Sequence, residues 1–137
     1  MIDTRTIGAT WVPRVLSVLR VMSAFLLVQH GTQKVLAFPT APSFGQPPLM
    51  SLIGVSGVLE LVGPFLLLIG LFTRPVAFVL SGFMAVAYFM AHAPASFWPI
   101  LNQGELAVLY CFVFLYLAVA GGGEWSVDNA LSTWRDR

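Results

Sequence analysis

Cysteine is all but missing from this chain: among 137 residues there is one, Cys111. No internal disulfide can form, which argues against a membrane dithiol oxidoreductase working through its own cysteine pair. Charge is scarce as well. Asp, Glu, Lys and Arg make up 9% of the residues, against about 25% in ordinary soluble domains. No basic tract is present to follow a phosphate backbone, so nucleic acid is not an expected partner. The sequence also holds no glycine-rich nucleotide loop, no Ser/His/Asp order and no CxxCH haem-attachment motif.

What fills the chain is apolar. Hydrophobic residues reach 58% and the mean hydropathy is +0.84. A soluble fold of this length could not cover that surface, so the composition implies an integral membrane protein of one domain. Four runs reach spanning length, for which about 20 residues are needed. They cover about 13–36, 49–72, 75–93 and 102–120. Their continuity, without period-two alternation, makes them helices rather than barrel strands. Pro13 and Pro75 suit helix starts, and Gly121 to Gly123 end the fourth run. The first run follows Arg14, as a secretion signal would, but it is too long for one and carries Arg20, so it is read as a retained helix. The expected fold is all-α: a polytopic, antiparallel four-transmembrane-helix bundle.

The connections differ in composition. The segment from Phe38 to Pro48 is proline-rich and not helical, Thr73-Arg74 reads as a tight turn, and the segment around Phe97 and Trp98 reads as an interfacial loop. After the glycines, about 126–136 suits a short surface helix. Ser126 would cap it, Asp128 matches its positive end, and Trp125 and Trp134 sit at headgroup level, as does Trp11 at the other end of the chain. Arg5, Arg14, Arg74, Arg135 and Arg137 flank one side of the spans and Lys34 the other. The positive-inside rule then places both termini in the cytoplasm, and the expected location is a bacterial inner membrane.

Glu60 stands near the middle of the second run. A carboxylate there is expensive, faces protein and marks function by default. Ser56, Glu60, Gly63, Leu67 and Gly70 recur at helical spacing, a seam of small residues that lets helices approach closely. Pro64 deprives the Glu60 carbonyl of its usual helical donor. On the first run Arg20, Ser23, Leu27, His30 and Lys34 share a stripe; on the third Tyr88 and His92 do; on the fourth Glu105 and Tyr116 do. With about 1.5 Å per residue, Arg20 lies roughly 10 Å and Glu60 roughly 18 Å from the cytoplasmic end. An Arg20–Glu60 ion pair is therefore within reach. It is either a structural lock or a charged catalytic core.

His30, Lys34, Tyr88, His92, Asn102 and Glu105 fall toward the outer end, and are expected to line a polar pocket open there. Three ligands suit such a set. Imidazole and carboxylate would hold a transition metal, two histidines would hold a haem, and histidines, tyrosine and carboxylate would hydrogen-bond a quinone and exchange protons with it. None has a local spacing signature. Hydrogen-bonding histidines at a wet bundle mouth are the plain alternative, and Cys111 reads as a packed thiol.

Three segments together resemble the DoxX family of small four-helix bacterial membrane proteins. They are LRVMSAFLLVQHGTQKVL with its arginine and G-x-x-K ending (Gly31, Lys34), LELVGPFLLLIGLFTR, and GGGEWSVDNAL with G-x-G-x-x-S-x-D. Pro64 stands where a second glycine is common. The resemblance implies a single domain over the whole chain, and matches Arg20, Lys34, Glu60, Asn102, Ser126 and Asp128 to recurring positions. It also implies a link to quinones, because the family's namesake is a membrane subunit of a thiosulfate:quinone oxidoreductase. The leading expectation is a quinone-linked redox protein, or the membrane subunit of an oxidoreductase complex with protein partners. The rival is a non-catalytic scaffold recruiting partners, with Arg20–Glu60 as a structural pair. A proton or solute path ranks below both. Substrate, electron donor and oligomeric state are not legible.

Overall fold

The computed structural model describes residues 4–135; helices make up most of them, and no strand is among them. The chain divides into two compact units, one made of 4–72 with 122–135 and the other Thr73–Gly121.

In the first unit, α1 (Thr4–Leu36) and α2 (Leu52–Ile69) pair, and α6 (Val127–Arg135) follows the closing glycines. The pairing is antiparallel: Arg20 meets Leu67, Gly31 meets Glu60, and Lys34 meets Gly57. The first helix does not open at Pro13. It begins by Thr4 and runs through that proline. A proline costs a helix the bond to the carbonyl four residues back, but here its own carbonyl gains partners. Ser17 Oγ donates to Pro13 O at 3.0 Å and the Glu124 N–H at 3.2 Å. The 33 residues span about 50 Å, more than a hydrocarbon core of about 30 Å requires.

The second helix starts at Leu52 rather than near Leu49, because Ser51 takes the cap position and its Oγ accepts the Gly54 N–H at 3.1 Å. It ends at Gly70, whose φ of 71° lies in the left-handed region. The Leu71 N–H reaches Leu66 O and the Gly70 N–H reaches Leu67 O, the paired bonds of a Schellman cap. The turn into the next helix is thus Gly70–Phe72. Thr73 and Arg74, expected to form it, are already helical.

The surface helix forms as expected, within the described residues up to Arg135; Asp136 and Arg137 lie outside them. Ser126 Oγ accepts the Asn129 N–H at 3.2 Å. Asp128 holds α6 to the end of α2: its N–H donates to Gly70 O at 2.9 Å, and its Oδ1 accepts the Phe72 N–H at 2.8 Å. Replacing Ser126 with alanine should lower stability by about 1 kcal/mol, read as a drop in the thermal midpoint of detergent-purified protein.

In the second unit, α3 (Thr73–Ala87) continues as a π-helical turn over Tyr88–His92. It pairs antiparallel with α5 (Glu105–Ala120), and a short α4 (Pro99–Asn102) lies in the connection. Arg74 Nη1 donates to Val119 O at 2.7 Å at one end, and Ser81 Oγ to Cys111 O at 2.8 Å midway. The fourth run does not start at Asn102. Gln103, at φ 59°, closes α4, and Asn102 Oδ1 accepts the Gly104 N–H at 2.7 Å before α5 begins. Tyr110 stacks on Phe114 with centroids 5.5 Å apart, and its hydroxyl is buried without a hydrogen-bond partner among the described residues. Tyr110→Phe should therefore be neutral or stabilising, by up to about 2 kcal/mol, in the same melting assay.

Among the described residues, three helical segments are long and apolar enough to cross a membrane: Thr6–Leu36, Leu52–Ile69 and Thr73–His92. Glu105–Ala120 is a shorter apolar helix. Val15, Val18, Met22 and Phe25 on α1, and Val55, Val62 and Phe65 on α2, are exposed and apolar. Those faces suit lipid tails.

Candidate functional site

Apart from an exposed Arg14–Glu124 ion pair at 2.9 Å, two charged centres within the first unit are largely covered. In the first, Arg20 is fully buried. Nε donates to Gly122 O at 2.8 Å, Nη1 to Leu67 O and, at 2.9 Å, to Leu68 O, and Nη2 to Trp125 O. Two of these carbonyls belong to the last turn of α2, where the helix dipole concentrates negative charge and a cation is favoured. The other two belong to the closing loop. Asp128 adds Coulombic attraction. Beside it Ser17 Oγ accepts the Trp125 N–H at 3.0 Å. A Cβ on Gly70 would lie 2.5 Å from the Ser126 Cβ and 2.8 Å from Arg20 Nη1. The guanidinium therefore knots α1, the end of α2 and the loop before α6 together.

The second centre lies near the other end of this helix pair. Lys34, in the last turn of α1, donates from Nζ to Glu60 Oε2 at 2.7 Å and to Ser56 Oγ at 3.3 Å. The Lys34 side chain is 20% exposed and that of Glu60 9%. Two glycines make the approach possible. A Cβ on Gly31 would lie 2.4 Å from Leu61 N and 2.5 Å from the Glu60 carbonyl carbon, and one on Gly57 would lie 2.8 Å from the Lys34 Cβ. The Lys34 stem lies in the gap Gly57 leaves, and its ammonium reaches the level of Glu60.

The expected Arg20–Glu60 pair is therefore corrected. Glu60 pairs with Lys34, and Arg20 binds backbone carbonyls. Depth estimates allowed an arginine to reach Glu60, but four carbonyls at a helix end and in a loop satisfy its forked donors better than one carboxylate oxygen. Lys34, placed by the sequence at the pocket's rim, is long enough to extend back along α2. Ser56 was visible only as a seam residue. Its place four positions before Glu60 was the signal that it shares the lysine.

His30 does not share the buried stripe of α1. That stripe runs through Arg20, Ala24, Leu27 and Gly31, and His30 is exposed. At about 100° per residue it lies about 80° around the helix from Arg20.

In the second unit, the polar residues bind one another. Tyr88 OH donates to Phe97 O at 3.0 Å and accepts from Asn102 Nδ2 at 3.2 Å, and Nδ2 also donates to Ser96 O at 2.7 Å. With Oδ1 on the Gly104 N–H, the Asn102 amide is fully engaged in closing the connection. His92 Nδ1 lies 3.0 Å from Asn102 O. A carbonyl only accepts, so Nδ1 carries a proton and donates to it. Glu105 is exposed in the first turn of α5, where its charge favours the helix. Among the described residues no three of His, Cys, Asp and Glu are grouped to hold a metal.

A lysine–carboxylate pair this well covered can hold a small polar ligand through hydrogen bonds and can exchange protons with it. Around Arg20, which is fully buried, four of the five guanidinium N–H groups are already taken by backbone carbonyls.

Comparison with known proteins agrees with the motifs. An "Uncharacterized protein" of Haemophilus influenzae is 44% identical over 125 residues, covering 85% of this chain and 90% of its own. A second "Uncharacterized protein" of that organism is 33% identical over 72 residues, covering 53% of this chain and 48% of its own. No solved structure matches the chain significantly. The DoxX family model matches residues 15–93, which hold Arg20, Lys34, Ser56 and Glu60 together with the helices that carry them, and the chain belongs to the DoxX family.

Proposed function

We propose that this multi-pass membrane protein is a quinone-linked redox protein, or the membrane subunit of such a complex, and that the Lys34–Glu60 pair is the centre its ligand contacts. The observation that carries this reading is a nearly covered ion pair within apolar helices, with hydrogen-bonding capacity left over. A structural pair needs none, and intramembrane ionisable residues mark ligand or proton paths by default. The family resemblance supports the quinone class.

The test is anaerobic equilibrium binding of a short-chain benzoquinone and, separately, of its hydroquinone to purified protein in nanodiscs. Lys34→Met should weaken binding about tenfold or more, the loss of a charge-assisted hydrogen bond. His30→Ala, on the exposed face, should leave it unchanged. No binding, or binding indifferent to Lys34→Met, would reduce the chain to a scaffold that recruits partners.

The proposed topology has four spans, α1, α2, α3 with its π turn, and α5, in a bacterial cytoplasmic membrane with both termini inside. Arg14, Arg74 and Arg135 support it by the positive-inside rule. A C-terminal green-fluorescent fusion should fluoresce, and an alkaline phosphatase fusion within the Phe38 to Pro48 loop should be active. The opposite pattern would invert the topology.

A further inference from the structure

We infer that the Lys34–Glu60 centre selects the reduced, dihydroxy form of an aromatic ligand over the oxidised, dicarbonyl form. The inference rests on the quinone-linked reading and adds the redox state of the ligand that the site takes.

The hydrogen-bond inventory carries it. The Lys34 ammonium has three hydrogens. One goes to Glu60 Oε2 at 2.7 Å and one to Ser56 Oγ at 3.3 Å. Ser56 is itself occupied as a donor, to Ile53 O at 2.7 Å, so it cannot turn to a ligand. One ammonium hydrogen remains. On the carboxylate, Oε2 takes the lysine, and Oε1 has no hydrogen-bond partner among the described residues. The centre thus presents one charged donor and one charged acceptor side by side, on side chains only 20% and 9% exposed.

A hydroxyl group matches both at once, donating to Oε1 and accepting from Nζ. A quinone carbonyl can only accept. It would satisfy the lysine but set its lone pairs against Oε1 and leave that oxygen without a donor. Sites built to bond a ligand hydroxyl reject analogues that lack it, because a covered polar group is then left unpaired. The effect here is expected to be about tenfold or more, below the larger discrimination of a sealed site.

The experiment measures anaerobic binding of decyl-benzohydroquinone, its quinone and its dimethyl ether to the whole chain in nanodiscs, corrected for lipid-only partition. The hydroquinone should bind at least about tenfold tighter than the other two. The dimethyl ether keeps the acceptor oxygens and replaces each O–H with O–CH3, and should bind as weakly as the quinone, which lacks the O–H without the added methyls. In Glu60→Gln the amide oxygen can take the lysine and the amide N–H₂ faces the ligand, so the preference should vanish or reverse toward the quinone. Equal affinity for the three ligands in the unaltered protein would overturn the selectivity and leave the quinone-linked reading standing. Absence of binding by all three would overturn both. The dimethyl ether comparison needs no variant, so it decides the matter even where Glu60→Gln fails to fold.

Discussion

Replacing Arg20 with methionine should remove about 3–5 kcal/mol of stability, enough to keep folded protein from accumulating in the membrane. The side chain reaches four carbonyls, those of Leu67, Leu68, Gly122 and Trp125, and is fully buried. Methionine fills much of the volume, and Leu67 O keeps the Gly70 N–H, but the carbonyls of Leu68, Gly122 and Trp125 are left to a low-dielectric surrounding, where each unmet one costs about 1–3 kcal/mol. Some recover by local bending, so the penalties do not simply add. Arg20→Lys separates charge from geometry. It restores the cation at the α2 C-terminus, but a single ammonium cannot bridge carbonyls from a helix end and a loop, and about 2 kcal/mol should still be lost. The measurement is the thermal midpoint of detergent-purified protein alongside its yield from membranes. A midpoint unchanged in Arg20→Lys would mean the fork geometry is irrelevant and the positive charge alone matters.

Gly31→Val should be similarly severe. The first atom beyond Cα would stand 2.4 Å from Leu61 N and 2.7 Å from Glu60 O. Both are backbone, so no rotamer change can relieve the overlap and the helices must separate. Overpacking typically costs about 1–3 kcal/mol and occasionally more. A clash with main chain belongs at the upper end. Even Gly31→Ala should be damaging, because the offending atom is Cβ itself. It should also weaken ligand binding, since Lys34 sits less than one turn further on and loses its register with Glu60. Gly82 is the control. A Cβ there meets nothing within 4 Å, so Gly82→Ala should be neutral or gain up to about 1 kcal/mol, through helix propensity. The two variants differ only in what lies across from the glycine, so equal behaviour would contradict the close approach.

The all-helical class and the apolar spans were legible because membrane helices announce themselves by length and hydropathy. The helix ends were less so. Pro13 read as a start because proline fits the first turn, yet α1 begins by Thr4 and runs through it. The turn after α2 was misplaced by three residues because Gly70, not the polar Thr73-Arg74, supplies the left-handed residue that ends it. Glu60 was identified correctly as a buried carboxylate, and the error concerned its partner. Sequence spacing gives depth along a helix but not the length of a lysine side chain folded back along a neighbour. Nor does it reveal that an arginine can be satisfied by backbone carbonyls, which carry no residue signature. His30 was assigned to the stripe through spacings of three and four that accumulate angular drift, and Gly31 is the residue that faces α2.

The central claim is that Arg20 holds the unit together while Glu60 works with Lys34. Double-mutant cycles on thermal stability test it most directly, one on Lys34→Met with Glu60→Gln and the other on Arg20→Met with Glu60→Gln, using stabilising lipid so that each variant folds. The first pair should show coupling of about 1–3 kcal/mol and the second less than about 0.5 kcal/mol. Strong coupling between Arg20 and Glu60, with Lys34 and Glu60 additive, would contradict the account.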